Sequence, residues 1–108
     1  MKNYFVYILE CSDKSYYTGV TNNVEKRLAE HRSGSIQGYT SNRLPIMLVY
    51  TTSFYDINDA IRFEKQIKGW SRKKKEALMR GDFDALVSLS KGKTKNNNVI
   101  AQSSTSSD

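Results

Sequence analysis

The chain has 108 residues, of which 38% are hydrophobic, with a formal charge of +6 and a single cysteine. That length suits one domain with a modest core, and a lone Cys11 excludes an internal disulfide framework and fits a reducing cytoplasm. No apolar run approaches the ~20 residues needed to cross a bilayer, the N-terminus lacks a basic leader followed by an apolar run, and the positive charge favours a polyanionic partner.

Residues 3–10 are rich in β-branched and aromatic types, with Phe5, Tyr7 and Leu9 alternating against Val6 and Ile8. Apolar side chains on both faces predict a central strand covered on both sides. Ser12-Asp13-Lys14-Ser15 is turn material, and Tyr16-Tyr17-Thr18 resumes an extended run. The pattern predicts a β-hairpin with Tyr7 and Tyr17 on neighbouring strands. Gly19 is expected to end the second strand, and Asn22 or Asn23 to cap a helix that runs to about Ser33 and closes at Gly34. On that helix Val24 and Leu28 form the apolar stripe, Arg27 and His31 lie on its border, and Glu25, Lys26 and Glu30 point elsewhere. Arg27 and His31 either look back toward the hairpin or are a solvated arginine and a helix C-terminal histidine complementing the dipole.

Residues 34–45 read as a mobile polar loop whose Tyr39 and Arg43 suit contact with bases or phosphates, or as an ordinary connector. Residues 46–52 form a third strand, again apolar on both faces. Asp56 can cap a helix through about Lys68 with the stripe Ile57, Ala60, Ile61 and Ile67, and Glu64 falls in the middle of that stripe. A carboxylate pointing into a core is costly unless paired or bound to a cation. Glu64 is therefore either a metal ligand or half of a buried ion pair, for instance with Arg27. Ser71 caps a helix over 72–80 stopped by Gly81. Trp70 with Arg72, Lys73, Lys74 and Lys75 forms a basic cluster beside an aromatic. Cations at a helix start oppose its dipole, so the cluster is either a phosphate-binding feature or a solvated face. Asp82 caps a last short amphipathic turn carrying Phe83, Leu86, Val87 and Leu89. Residues 1–90 thus read as one domain and 91–108 as a disordered polar tail.

Metal-dependent phosphodiester hydrolysis needs a cation, a proton acceptor for water, a positive charge for the developing oxyanion, and a surface for the backbone. Glu64 can supply the cation site, since a single carboxylate suits a Mg²⁺ that keeps most of its waters. Arg27 offers a permanently charged fork for phosphate oxygens. Tyr7 is the candidate general base, helped by His31 and Tyr17. A phenol with its ordinary pKa is only about a thousandth ionised at pH 7. Either Arg27 and the cation lower that pKa, or His31 takes the proton.

Phe5-Val6-Tyr7 followed by Tyr17-Thr18-Gly19 resembles the signature of the GIY-YIG nuclease superfamily. The continuation Gly19-Val20-Thr21 with Arg27-Leu28 and His31 resembles its small standalone bacterial members, the UPF0213-like subgroup. The resemblance spans roughly residues 3–80. It implies an α/β (α+β) fold, a small three-stranded antiparallel sheet flanked by helices. It further implies catalytic Tyr7, Tyr17, Arg27 and His31, one Mg²⁺ or Mn²⁺ at Glu64, and an endonuclease leaving 3′-hydroxyl and 5′-phosphate ends. Val20 stands where excision-repair relatives have lysine, and Glu76 where many relatives have asparagine. The expected partner is nucleic acid, DNA in preference to RNA, nicked one strand per active site by a monomer with no membrane attachment. Tyr39, Arg43, Trp70, Arg72, Lys73 and Lys74 are the candidate nucleic-acid contacts. The competing expectation is a nucleic-acid-binding module that keeps the fold with little or no catalysis.

Overall fold

The three extended segments meet in one antiparallel sheet ordered β2-β1-β3, formed by β1 (Tyr4–Glu10), β2 (Tyr16–Thr21) and β3 (Met47–Phe54). The computed structural model describes residues 3–95. Residues 96–108, most of the segment expected to be a disordered tail, lie outside the described residues. β1 is central because both of its faces are apolar, and Val6, Ile8 and Leu9 are wholly buried. In the β1–β2 register Tyr7 pairs with Gly19 and Leu9 with Tyr17, so these four residues share one face. β2 does not end at Gly19 but continues through Val20 and Thr21; the glycine is an interior position opposite Tyr7.

Local chemistry sets the helix ends. In α1 (Val24–Ser33) the Asn23 side chain accepts from the Lys26 amide at 3.0 Å, and Gly34, at φ 78°, donates its own amide to the His31 carbonyl at 3.1 Å. His31 is the buried residue of this helix, not a border position, while Leu28 is half-buried against the cluster of Tyr7, Leu9, Cys11 and Ile46. α2 (Ile57–Lys68) starts where Asp56 accepts from the Asn58 amide at 2.8 Å. Its inward line differs from the expected stripe. Ala60 and Ile67 are buried, and the line between them passes through Phe63 and Glu64, both half-buried; Ile57 and Ile61 sit to one side, 42% and 36% exposed. Phe63 is held by the Phe54 ring, centroids 5.5 Å apart. Glu64 thus lies on the inward line, as expected, but is half-buried and not fully enclosed.

The chain divides into two compact units, one through Lys65 and one from Gln66 on, across the 1–90 span that the sequence suggests is one domain. In the second unit α3 (Arg72–Arg80) packs against α4 (Phe83–Lys95), with Ala77 and Leu78 buried. Ser71 caps α3 by accepting from the Lys74 amide, Gly81 ends it at φ 72°, and Asp82 caps α4 through the Ala85 amide. α4 runs on to Lys95, although a polar tail is expected from residue 91. Lysine and threonine are acceptable helix formers, and Gly92 costs only about 1 kcal/mol relative to alanine. No helix among the described residues is long and apolar enough to cross a membrane.

The position of α2 is testable. Leu9→Ala, in the cluster beneath α1, should cost about 2–5 kcal/mol, whereas Ile61→Ala should cost well under half of that because the side chain is already in part solvated. Urea unfolding of the two variants measures the difference. Equal losses would return Ile61 to the core.

Candidate active site

Tyr7 is delivered from the middle of β1 and is only 2% exposed. Its hydroxyl lies 2.9 Å from Nε2 of His31, which comes from the third turn of α1 and is 1% exposed. Three rings interlock around this contact. The Tyr17 centroid is 6.3 Å from Tyr7 and 5.2 Å from His31, and the Tyr7 and His31 centroids are 5.8 Å apart in an edge-to-face arrangement. Gly19 makes room for the phenol, because a Cβ there would stand 2.5 Å from the Tyr7 hydroxyl oxygen.

Arg27, one turn before His31, sets a positive charge near enough to Tyr7 to favour its ionised form. Its Nε is bound to Glu30 Oε1 at 3.1 Å, so Glu30 faces the site's arginine and does not point elsewhere. The i,i+3 spacing explains the pairing. Burial, reinforced by the Tyr17 hydroxyl, pushes the Tyr7 pKa up to about 12; the Arg27 guanidinium opposes this, and Glu30 adds to it. Arg27 thus acts on the phenol in the expected direction, but by itself it is outweighed by desolvation. Burial and the Arg27 charge together lower the His31 pKa against the pull of Glu30, which leaves a neutral imidazole at neutral pH.

The remaining ring nitrogen of His31, Nδ1, lies 2.8 Å from the hydroxyl of Thr40, itself 1% exposed. Nothing in the residue pattern signals Thr40: a threonine in a polar loop carries no periodicity, and the contact closes over nine residues. The loop is anchored to the hairpin by hydrogen bonds. Arg43 donates through Nε to Asp13 at 3.0 Å and through Nη1 to the Tyr39 carbonyl at 2.9 Å, and its own carbonyl accepts from the Ser12 amide. The Arg43 guanidinium also lies 3.9 Å above the Tyr39 ring, which stacks beside Tyr17. Tyr39 and Arg43, the candidate nucleic-acid contacts of this loop, also tie it to the hairpin, with Tyr39 left 41% exposed.

Glu64 lies on α2 in the same unit, half-buried. Among the described residues no three or more His, Cys, Asp or Glu side chains form a metal-holding group. A single half-exposed carboxylate nevertheless fits a hydrated divalent cation, which takes one or two carboxylates and completes its shell with water and substrate oxygens. In the second unit the Lys74 ammonium sits 4.4 Å above the Trp70 ring, Arg72 Nε is bound to Glu76 Oε2 at 3.0 Å, and Lys73 is exposed.

A small antiparallel sheet carrying two tyrosines against a helical arginine and histidine defines a recognisable class. A family model described as "GIY-YIG catalytic domain" matches residues 3–77, and the chain belongs to that family. A UPF0213 protein of Halobacterium salinarum is 49% identical over 73 residues, covering 68% of this chain and 95% of its own. A UPF0213 protein of Halalkalibacterium halodurans is 47% identical over 77 residues, covering 71% and 82%. Among solved structures, the solution NMR structure of an E. faecalis protein is similar at 34% identity and a TM-score of 0.55, covering 77% of this chain and 88% of that one.

The buried neutral imidazole has a consequence for stability. As pH falls below the ordinary histidine value of 6.5, the unfolded chain binds a proton that folded His31 resists, so stability declines between 6.5 and the lowered folded value. In His31→Gln this part of the decline should vanish. What remains belongs to carboxylates such as Asp13 and Asp82, whose window lies below 3.8. Urea unfolding at neutral pH and at about pH 5 reads the slope; an unchanged slope in the variant would contradict the assignment.

Proposed function

We propose that the protein is a divalent-cation-dependent endonuclease that hydrolyses phosphodiester bonds, in DNA rather than RNA, cutting one strand per encounter as a monomer. Family membership supports the nuclease class, and the free, buried Cys11 suits a reducing cytoplasm. The observation that carries the reading is the hydrogen bond between a buried phenol and a buried neutral imidazole. Two buried polar rings, an arginine charge beside the phenol and a glycine cleared to admit it form a costly arrangement for packing alone.

Burial favours the protonated phenol of Tyr7, so we assign the proton-accepting role to the Tyr7–His31 pair and not to Tyr7 alone. As water attacks phosphorus, its proton passes to the Tyr7 oxygen while the phenolic proton passes to His31 Nε2. The Arg27 Nη groups, outside the Nε–Glu30 contact, are placed to receive charge developing on the phosphate oxygens. Tyr17 packs on both rings and excludes bulk water. Held at Glu64, a divalent cation would supply Lewis-acid polarisation of a phosphoryl oxygen.

On supercoiled plasmid with Mg²⁺ or Mn²⁺, nicked circles should accumulate well before linear molecules. Tyr7→Phe and Glu64→Gln should each slow nicking by roughly a hundredfold or more while the folded state and DNA binding persist. Wild-type activity in either variant would remove that residue from its role. Binding without cleavage in the parent protein would favour the alternative of a nucleic-acid-binding module.

We assign phosphate contact to Arg72, Lys73 and Lys74 beside Trp70, and further contact to Tyr39, which stays exposed, and to the neighbouring Arg43. Replacing Arg72, Lys73 and Lys74 by serine should weaken binding to all duplex sequences alike. It should also reduce the slope of log K against log salt by roughly 0.9 for every phosphate no longer engaged. An unchanged slope would make the cluster a solvated face.

A further inference from the structure

We propose that Thr40 is a positioning residue that fixes the tautomer of His31, holding the hydrogen on Nδ1 so that Nε2 stands ready to accept the Tyr7 proton. A neutral imidazole has one N–H and two nitrogens, and here both nitrogens are within hydrogen-bond distance of a hydroxyl: Nε2 of Tyr7 at 2.9 Å and Nδ1 of Thr40 at 2.8 Å. Two chains of hydrogen bonds satisfy this geometry. In one, Tyr7 donates to Nε2 and Nδ1–H donates to Thr40. In the other, Thr40 donates to Nδ1 and Nε2–H donates to Tyr7.

Donor and acceptor strength decides between them. A phenol is a stronger donor than an aliphatic hydroxyl, and an aliphatic hydroxyl is the better acceptor, so the arrangement that the site keeps has Tyr7 donating and Thr40 accepting. That requires Nε2 to be bare and Nδ1 to carry the hydrogen, which Thr40 accepts. Thr40 is in turn fixed by the anchored loop, its carbonyl accepting from the Arg43 amide at 3.0 Å while Arg43 is held to Asp13 and the Tyr39 carbonyl. The charged groups acting on His31 are Arg27 and Glu30.

The kinetic role of Thr40 rests on the hydrolytic reading of the site. During the step the Tyr7 O–H bond breaks and an Nε2–H bond forms, giving phenolate and imidazolium, with Nδ1–H still donated to Thr40. As the phenolate takes a proton from water, the water oxygen bonds to phosphorus and the P–O3′ bond breaks; the leaving 3′ oxygen takes a proton from solvent, and the imidazolium returns its extra proton to solvent. No electrons change hands. With the opposite tautomer Nε2 is already protonated, and the transfer cannot begin.

His31 is the single histidine of the chain, so ¹⁵N NMR of the untagged, labelled protein at neutral pH reads one imidazole. The expected result is hydrogen on Nδ1 in the native protein and in Thr40→Ser, and hydrogen on Nε2 in Thr40→Val, where an orphaned Nδ1–H would have no acceptor. If Thr40→Val does not fold, Thr40→Ala gives the same reading. Hydrogen on Nε2 in the native protein, or on Nδ1 in the Val or Ala variant, would overturn the proposal. In plasmid nicking, Thr40→Val should lower kcat roughly tenfold to a hundredfold with KM little changed, and Thr40→Ser should restore it. A switched tautomer with unchanged kcat would break the link to cleavage. The NMR result decides the role of Thr40 even if no nicking is found, so failure of the nuclease reading and failure of this one are told apart.

Discussion

A tyrosine hydroxyl and an imidazole nitrogen 2.9 Å apart, both shut off from water, set the terms for everything around them. Burying two polar rings is tolerable only if their hydrogen-bonding groups are answered, and each neighbouring element supplies one answer. β2 contributes a glycine where any side chain would collide with the phenol, α1 sets the Arg27 charge near the phenol, and the loop before β3 brings a threonine to the far nitrogen. Leu28 and Tyr17 close the apolar flanks. The sheet and the first helix thus hold one another in register through a polar contact at least as much as through hydrophobic burial.

The elements that depend on neighbours in sequence are the most legible. Asn23 and Gly34 around α1, and Ser71 and Gly81 around α3, work through bonds that close within a turn, so their residue types announce them. The central strand is legible because two apolar faces leave a strand no edge to occupy. The candidate site is half legible. Tyr7, Tyr17, Arg27 and His31 can be singled out by order and spacing, but their environment cannot. His31 is expected at the border of the α1 stripe, and α1 has too few large apolar residues for its pattern to show which face turns inward. The α2 stripe is misdrawn for a related reason: Ile57 and Ile61 draw it through themselves, whereas Ala60 and Ile67, with Glu64 between them, mark the more buried face.

Charge, too, is used differently from what composition suggests. A formal +6 invites the view that basic residues lie ready for phosphate, yet Arg27, Arg43, Arg62, Arg72 and Arg80 each have a carboxylate within reach. Exposed pairs of this kind contribute little to stability, but they orient planar guanidinium groups whose remaining N–H bonds then point in set directions. Lys73, exposed on α3, is a different kind of charge, a point cation on a flexible stem. A polyanion would therefore meet a mixture of aimed forks and loose cations, and the two respond differently to salt.

Gly19 carries a consequence for how such a chain can vary. Every single-nucleotide change of a glycine codon that alters the residue installs a Cβ, and here that atom would fall 2.5 Å from the Tyr7 oxygen and 2.6 Å from its ring carbon. The phenol cannot step aside, since its hydroxyl is tethered to His31 and its ring is wedged against Tyr17. Position 19 thus has no gentle neighbours in sequence space, and no gradual adjustment of the pocket can begin from it. Positions 7 and 19 are bound into a single hereditary unit, in which the glycine becomes free to drift only after the tyrosine hydroxyl has already been given up.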